Sequence, residues 1–126
     1  MLKYEELSRD RRTEKLIVDM RRKSLRNANM RTGVIAYELK VANDYEESIR
    51  DSNDQNQQEL AHERVDHVQK ALDDAIKEQG RRRQQLKQGK ARFAKFEKVY
   101  TQVKGRYEAA VYSARDSDDG LEARIS

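Results

Sequence analysis

The sequence predicts an all-α fold, an antiparallel two-helix coiled-coil hairpin, and three observations predict it. Proline is absent from the 126 residues, so nothing forces a helix to stop. Charged residues make up 40% and hydrophobic residues 36%. That mixture is too polar for a thick globular core and suits helices that each bury one stripe. Apolar residues recur with a seven-residue period over most of the chain, broken by one polar stretch near its middle.

The first helix is expected over about residues 2–50. One track of its seam holds Leu7, Ala28, Ile35, Ala42 and Ile49, and the other holds Tyr4, Val18, Leu25 and Leu39. Arg11, Glu14, Arg21, Thr32 and Glu46 occupy seam positions and interrupt it. Leu16, Ile17, Met20, Val34 and Val41 fall off the seam, which predicts a wider or shifted apolar face. The turn is expected over about 51–56. There Asp51-Ser52-Asn53-Asp54-Gln55-Asn56 concentrates side chains that compete with helical backbone bonds. Asn56, with Glu59 three residues later, resembles a helix-start capping pair.

The second helix is expected over about 57–112 and carries the clearer heptads. Its tracks are Val65, Leu72, Gln79, Leu86, Phe93, Tyr100, Tyr107 and Val68, Ala75, Arg82, Gly89, Phe96, Val103, Ala110. Only Gln79, Arg82 and Gly89 break them. The tail 113–126, with Asp116, Asp118, Asp119 and Gly120, is expected to be frayed or disordered.

Folding at the polar turn sets Ile35 opposite Ala75, Leu39 opposite Leu72, Ala42 opposite Val68 and Leu25 opposite Leu86. The same register sets Val18 opposite Phe93, Leu7 opposite Val103 and Tyr4 opposite Tyr107. Large residues meet small ones, as an interdigitated seam requires. Arg21 near Gly89, Ala28 near Arg82 and Thr32 near Gln79 form polar layers, which weaken packing but fix register.

Charge is segregated along the chain. Residues 1–31 carry ten basic and five acidic side chains, 32–78 five basic and twelve acidic, and 79–106 ten basic with Glu97 the one acid. In a hairpin the two basic blocks become a positive shaft beside the termini, and the acidic block surrounds the turn.

Catalytic, cofactor and metal chemistry is not expected. His62 and His67 are five residues apart, which puts their imidazoles on different helix faces and not on the shared face of a zinc-protease helix. The stretch from Asp51 begins like a calcium loop, but it lacks the glycine and has His62 at the twelfth position. No phosphate-cradling glycine loop is present, and no nucleophile has an adjacent base. With no cysteine, disulfides and thiolate chemistry are excluded and a reducing compartment is natural. The opening Met1-Leu2-Lys3-Tyr4-Glu5-Glu6 is charged, so no ordinary secretory signal is expected, and membrane insertion is not expected either. The run Arg81-Arg82-Arg83 with Lys87, Lys90, Arg92, Lys95 and Lys98 suits a solvated face, a protein-docking face or a nucleic-acid face. Phe93, Phe96, Tyr100 and Tyr107 fall on the seam, which favours a core role for them over base stacking.

Two segments carry a resemblance to a known family. The opening Leu2-Lys3-Tyr4-Glu5-Glu6-Leu7-Ser8-Arg9-Asp10-Arg11-Arg12-Thr13-Glu14-Lys15 is similar to the Arg/Glu-rich N-terminal helix of the FliJ/YscO stalk proteins of flagellar and type III secretion export. Residues Gln88-Gly89-Lys90-Ala91-Arg92-Phe93-Ala94-Lys95-Phe96-Glu97-Lys98-Val99-Tyr100 resemble the YscO-type stretch around a Lys-Phe-Glu core. A small, basic, cysteine-free hairpin with both termini at one end is the third likeness.

The resemblance implies a non-enzymatic stalk that inserts into and stimulates a hexameric secretion ATPase and links it to the export gate. Export-gate protein and secretion chaperones are the further partners it implies. It also implies a bacterial cytoplasmic location, peripheral to the inner-membrane export apparatus. The residues assigned to the ATPase are Arg9, Arg11, Arg12, Lys15, Arg92, Lys95, Lys98 and Lys104. The alternatives are a structural, dimerising coiled-coil scaffold and, less favoured, a basic nucleic-acid-binding hairpin.

Overall fold

A computed structural model describes residues 2–125, with side chains described over 4–114. The chain is an all-α helical hairpin of two long helices, α1 (Leu2–Ser48) and α2 (Gln55–Ile125), with no strand among the described residues. The turn is two residues earlier than the sequence suggests, and its caps explain the shift. Asp54, not Asn56, begins α2: its Oδ1 accepts the Gln57 amide at 3.2 Å and its carbonyl accepts the Gln58 amide at 3.2 Å. That leaves Asn56 inside the first turn, where its side chain cannot act as the cap.

Gln58 closes the other helix. Its Nε2 reaches the turn carbonyls of Ile49 (3.4 Å), Arg50 (3.0 Å) and Ser52 (2.6 Å), tying the chain just after α1 to the start of α2. No described residue adopts positive φ, so the turn uses no left-handed cap. At the other end, α2 runs past residue 112 to Ile125. The backbone of the expected tail is therefore helical to Ile125, since no proline removes a donor there, and its side chains beyond Ala114 lie outside the described residues.

The chain divides into two compact units, Met20–Lys87 and the pair Met1–Asp19 with Gln88–Ser126. The unit Met20–Lys87 contains the turn and the best-packed seam. Val68, 2% exposed, clusters with Ile35 and Ala75, and Leu39, Ala71 and Leu72 pack against them. Ala42, Ala61 and Leu86 are also buried. These are the layers that the heptad register pairs.

The seam's polar members find partners by reaching across or along the helices. Arg21 Nη1 donates to the Gln85 carbonyl at 2.9 Å. Thr32 Oγ1 donates to the Ala28 carbonyl at 2.9 Å and approaches the Ala75 carbonyl at 3.5 Å. Gln79 donates to Asn29 Oδ1, so its partner is not Thr32. Glu46 is the least satisfied: its Oε2 is buried without a hydrogen bond, with His62 Nδ1 3.4 Å away.

The wider apolar face expected for α1 does not form. Leu16, Met20, Val34 and Val41 are exposed, and of the off-seam residues only Ile17 is half-buried. One partner helix covers about one stripe, and the 3.5-residue repeat keeps that stripe at the seam. No helix among the described residues is long and apolar enough to cross a membrane.

Candidate functional site

All eight residues assigned to partner binding fall in the unit that pairs Met1–Asp19 with Gln88–Ser126. Its seam explains how they are held. Tyr4 stacks on Tyr107 with ring centroids 4.7 Å apart and planes 7° apart, and on Tyr100 at 6.0 Å and 22°. The seven-residue step from Tyr100 to Tyr107 puts both rings on one side of α2, with Tyr4 between them. Val18 is buried, while Leu7, Phe93, Phe96 and Val103 are half-buried. The aromatics therefore belong to the seam, as their spacing predicts.

Among the described residues, Arg11–Glu97 and Glu14–Arg92 are ion pairs between the helices here. Arg11 grips Glu97 in a bidentate fork, Nε to Oε2 at 2.6 Å and Nη2 to Oε1 at 3.0 Å. The guanidinium also lies 5.0 Å from the Tyr100 ring centroid, within cation–π range. Glu14, only 9% exposed, takes Arg92 Nη2 at 3.0 Å. Glu14 occupies a place where a charge without a partner would be costly.

The electrostatics follow from these contacts. The hydrogen bonds from Arg11 hold the Glu97 carboxyl below its ordinary value, with help from the charges of Arg11, Lys15 and Lys104. Glu97 in turn raises Arg11. The side-chain interaction with Tyr4 holds Tyr100 below its ordinary value, aided by Ser8 and the charges of Lys104 and Arg11. The same interaction with Tyr100, together with desolvation, pushes Tyr4 up.

Of the eight candidates, Arg11 and Arg92 thus serve as cross-helix clamps, and Lys104 leans toward Glu108 at 3.9 Å one turn along. Arg9, Arg12, Lys15, Lys95 and Lys98 present their charges outward. Lys90 and Arg106, which the sequence reading did not single out as site residues, are exposed on α2 in the same unit. Their signal is composition alone: residues 88–106 hold six basic side chains against Glu97. The segment 1–19 is balanced, with five basic and five acidic side chains. The positive excess of this unit therefore comes from α2.

A second basic zone lies in the unit Met20–Lys87, on 20–31 and 79–87, which hold nine basic side chains and no acid. Glu78, just before it, takes Arg82 at 2.7 Å and Arg81 at 3.0 Å. Two open grooves of about 420 and 490 Å³ run beside Ala28, Arg31, Glu78 and Arg82. His62 lies between Glu46, at 3.4 Å, and Asp66, at 3.7 Å, and His67 is exposed.

Comparison with known protein families, curated proteins and solved structures yields no match to this chain.

Proposed function

We propose that the chain is a non-enzymatic coiled-coil stalk that engages a hexameric type III secretion ATPase through the basic side chains of its paired terminal segments. What supports this reading is one arrangement. The seam clamps the two segments with Tyr4, Arg11–Glu97 and Glu14–Arg92, and leaves Arg9, Arg12, Lys15, Lys95 and Lys98 exposed beside it. A stiff pair of helices carrying outward cations suits a ring pore lined with carboxylates, where long-range attraction orients the incoming segment. Arg11 and Arg92 hold the two helices together, and Lys104 contributes from the margin. The ATPase supplies the hydrolysis; the chain supplies position. The same reading places the protein in the bacterial cytoplasm, peripheral to the inner-membrane export apparatus, with the export gate and secretion chaperones as further contacts.

The test is phosphate release by a purified secretion ATPase with and without the chain. Reversing Arg9, Arg12, Lys95 and Lys98 to Glu leaves the seam untouched, so helicity should survive while stimulation is lost. Stimulation by the parent should weaken with added salt, because exposed charges are screened beyond about 8–10 Å. Reversing Glu59 and Glu63 to Lys, exposed on α2 in the other unit, should leave stimulation intact. A parent chain that neither binds nor stimulates the ATPase overturns the reading. Loss of stimulation confined to the Glu59 and Glu63 variant overturns the site.

A further inference from the structure

We infer that α1 carries a second heptad seam on its outer face and pairs there, antiparallel, with α1 of a second copy of this chain. The inward seam of α1 in the unit Met20–Lys87 runs through Ala28, Thr32, Ile35, Leu39, Ala42 and Glu46 and is covered by α2. On the opposite side, Met30, Val34, Tyr37 and Val41 recur at spacings of four, three and four, which is the step of a coiled-coil seam. All are exposed: Met30 70%, Tyr37 68%, Val34 59%, with Val41 about half. Tyr45, one turn on, is likewise about half exposed. By contrast, the exposed large hydrophobics described on α2, Leu60, Ile76, Val99 and Tyr112, share no such spacing.

The charges beside the stripe name the partner and its direction. Arg26 and Glu47 flank one edge, Arg31 and Glu38 the other, and all four are exposed. Two α1 helices laid antiparallel about a point between Ile35 and Ala36 bring Val34 against Tyr37 and Met30 against Val41, each twice by symmetry. The same register sets Arg31 beside Glu38 of the second copy and Arg26 beside Glu47, again twice each. Large side chains meet smaller ones, and four opposite-charge pairs close the edges.

A parallel alignment would put Arg26 beside Arg31 and lose every one of those pairs. The sequence of α1 is therefore complementary to itself in one direction only. At the ends of the stripe Asn27 faces Asp44, which limits the apolar contact to the central turns. A groove of about 390 Å³ between Tyr37, Val41, Tyr45 and Arg64 borders the Glu38 edge. It can take the aliphatic stem of Arg31 from the second copy while the guanidinium reaches Glu38. A contact of about five helical turns is small for a stable interface, so the pairing is a concentration-dependent equilibrium. It uses none of the basic side chains assigned to the ATPase, so either proposal can fail alone.

Sedimentation equilibrium of the full chain tests it, with helicity checked by circular dichroism. The parent should pass from monomer to dimer across micromolar concentrations. Val34→Glu with Tyr37→Glu should remain monomeric at unchanged helicity. Arg31→Glu should weaken the dimer at least tenfold, and adding Glu38→Arg to it should restore the parent value. In mixtures of Val34→Cys and Tyr37→Cys chains, the mixed disulfide should outnumber both symmetric ones. A parent that stays monomeric up to several hundred micromolar overturns the proposal. So does a dimer indifferent to Val34 and Tyr37, or one in which the symmetric disulfides prevail.

Discussion

Truncating Val68 to alanine is the most direct probe of the seam's energetics. Val68 is the most buried of the described core residues and joins Ile35 and Ala75 in one cluster. The substitution removes about two methylene equivalents, at ~0.8 kcal/mol each. A cavity contribution adds to this, held small because a seam one layer thick can close on the gap, so the loss is about 2 kcal/mol. For a chain of this length, 1 kcal/mol moves the melting midpoint by about 4 °C, giving a fall of about 8 °C. Thermal melts followed by circular dichroism at 222 nm and a single protein concentration measure it. The control is Ile76→Ala, which removes more hydrocarbon from an exposed site on the same helix and should cost no more than about 0.5 kcal/mol. A Val68→Ala chain that melts with the parent, or an Ile76→Ala chain that falls as far, refutes the assignment of the inward face.

Three further outcomes follow from particular contacts. Because Arg11 holds Glu97 low, the unfolded chain binds more protons there. That contribution to stability is complete above about pH 4.5 and is lost as pH falls through the lower folded-state value; acid melts of the parent against Glu97→Gln should show the parent's steeper decline. Glu46→Leu relieves a buried oxygen without a hydrogen bond and fills a seam position, so it should stabilise the chain by about 1 kcal/mol in denaturant melts. Tyr4→Phe should melt near the parent, whereas Tyr4→Ala loses the stack on Tyr107 and should cost about 1–2 kcal/mol, with a matching loss of near-ultraviolet dichroism.

The heptad pattern made the hairpin legible because it records which side of each helix is dry. Every position assigned to the two tracks of α1, including Arg11, Glu14, Arg21, Thr32 and Glu46, is buried or half-buried. On α2 the tracks hold through Val103 and Tyr107, and only at Ala110 does Val111 take the inward place. A 3.6-residue helix drifts against a 3.5-residue repeat, and the drift shows where no strong seam residue corrects it.

The candidate surface was less legible. The ATPase assignment grouped Arg11 and Arg92 with the other cations near the termini; the register that pairs Val18 with Phe93 puts Arg11 in the Tyr100 layer, one turn from Glu97, whereas Arg92 stays exposed while reaching Glu14. Charge totals carry no information about which side a side chain faces; the register does. The cap at Asp54 escaped for a related reason, since several neighbouring residues have side chains suited to the role and backbone geometry chooses among them.

The seam contacts require an antiparallel hairpin in one register, and a disulfide test addresses it most directly. The chain contains no cysteine, so Ile35→Cys with Ala75→Cys introduces the only pair that can form. Both positions lie in the same buried cluster, and a disulfide requires Cα atoms within about 7 Å. Mild oxidation should give an intrachain disulfide that runs as a compact monomer on a non-reducing gel and reverts with reductant. A chain that forms only interchain disulfides, or links Ile35→Cys more readily to Arg82→Cys one heptad away, would contradict the hairpin or its register.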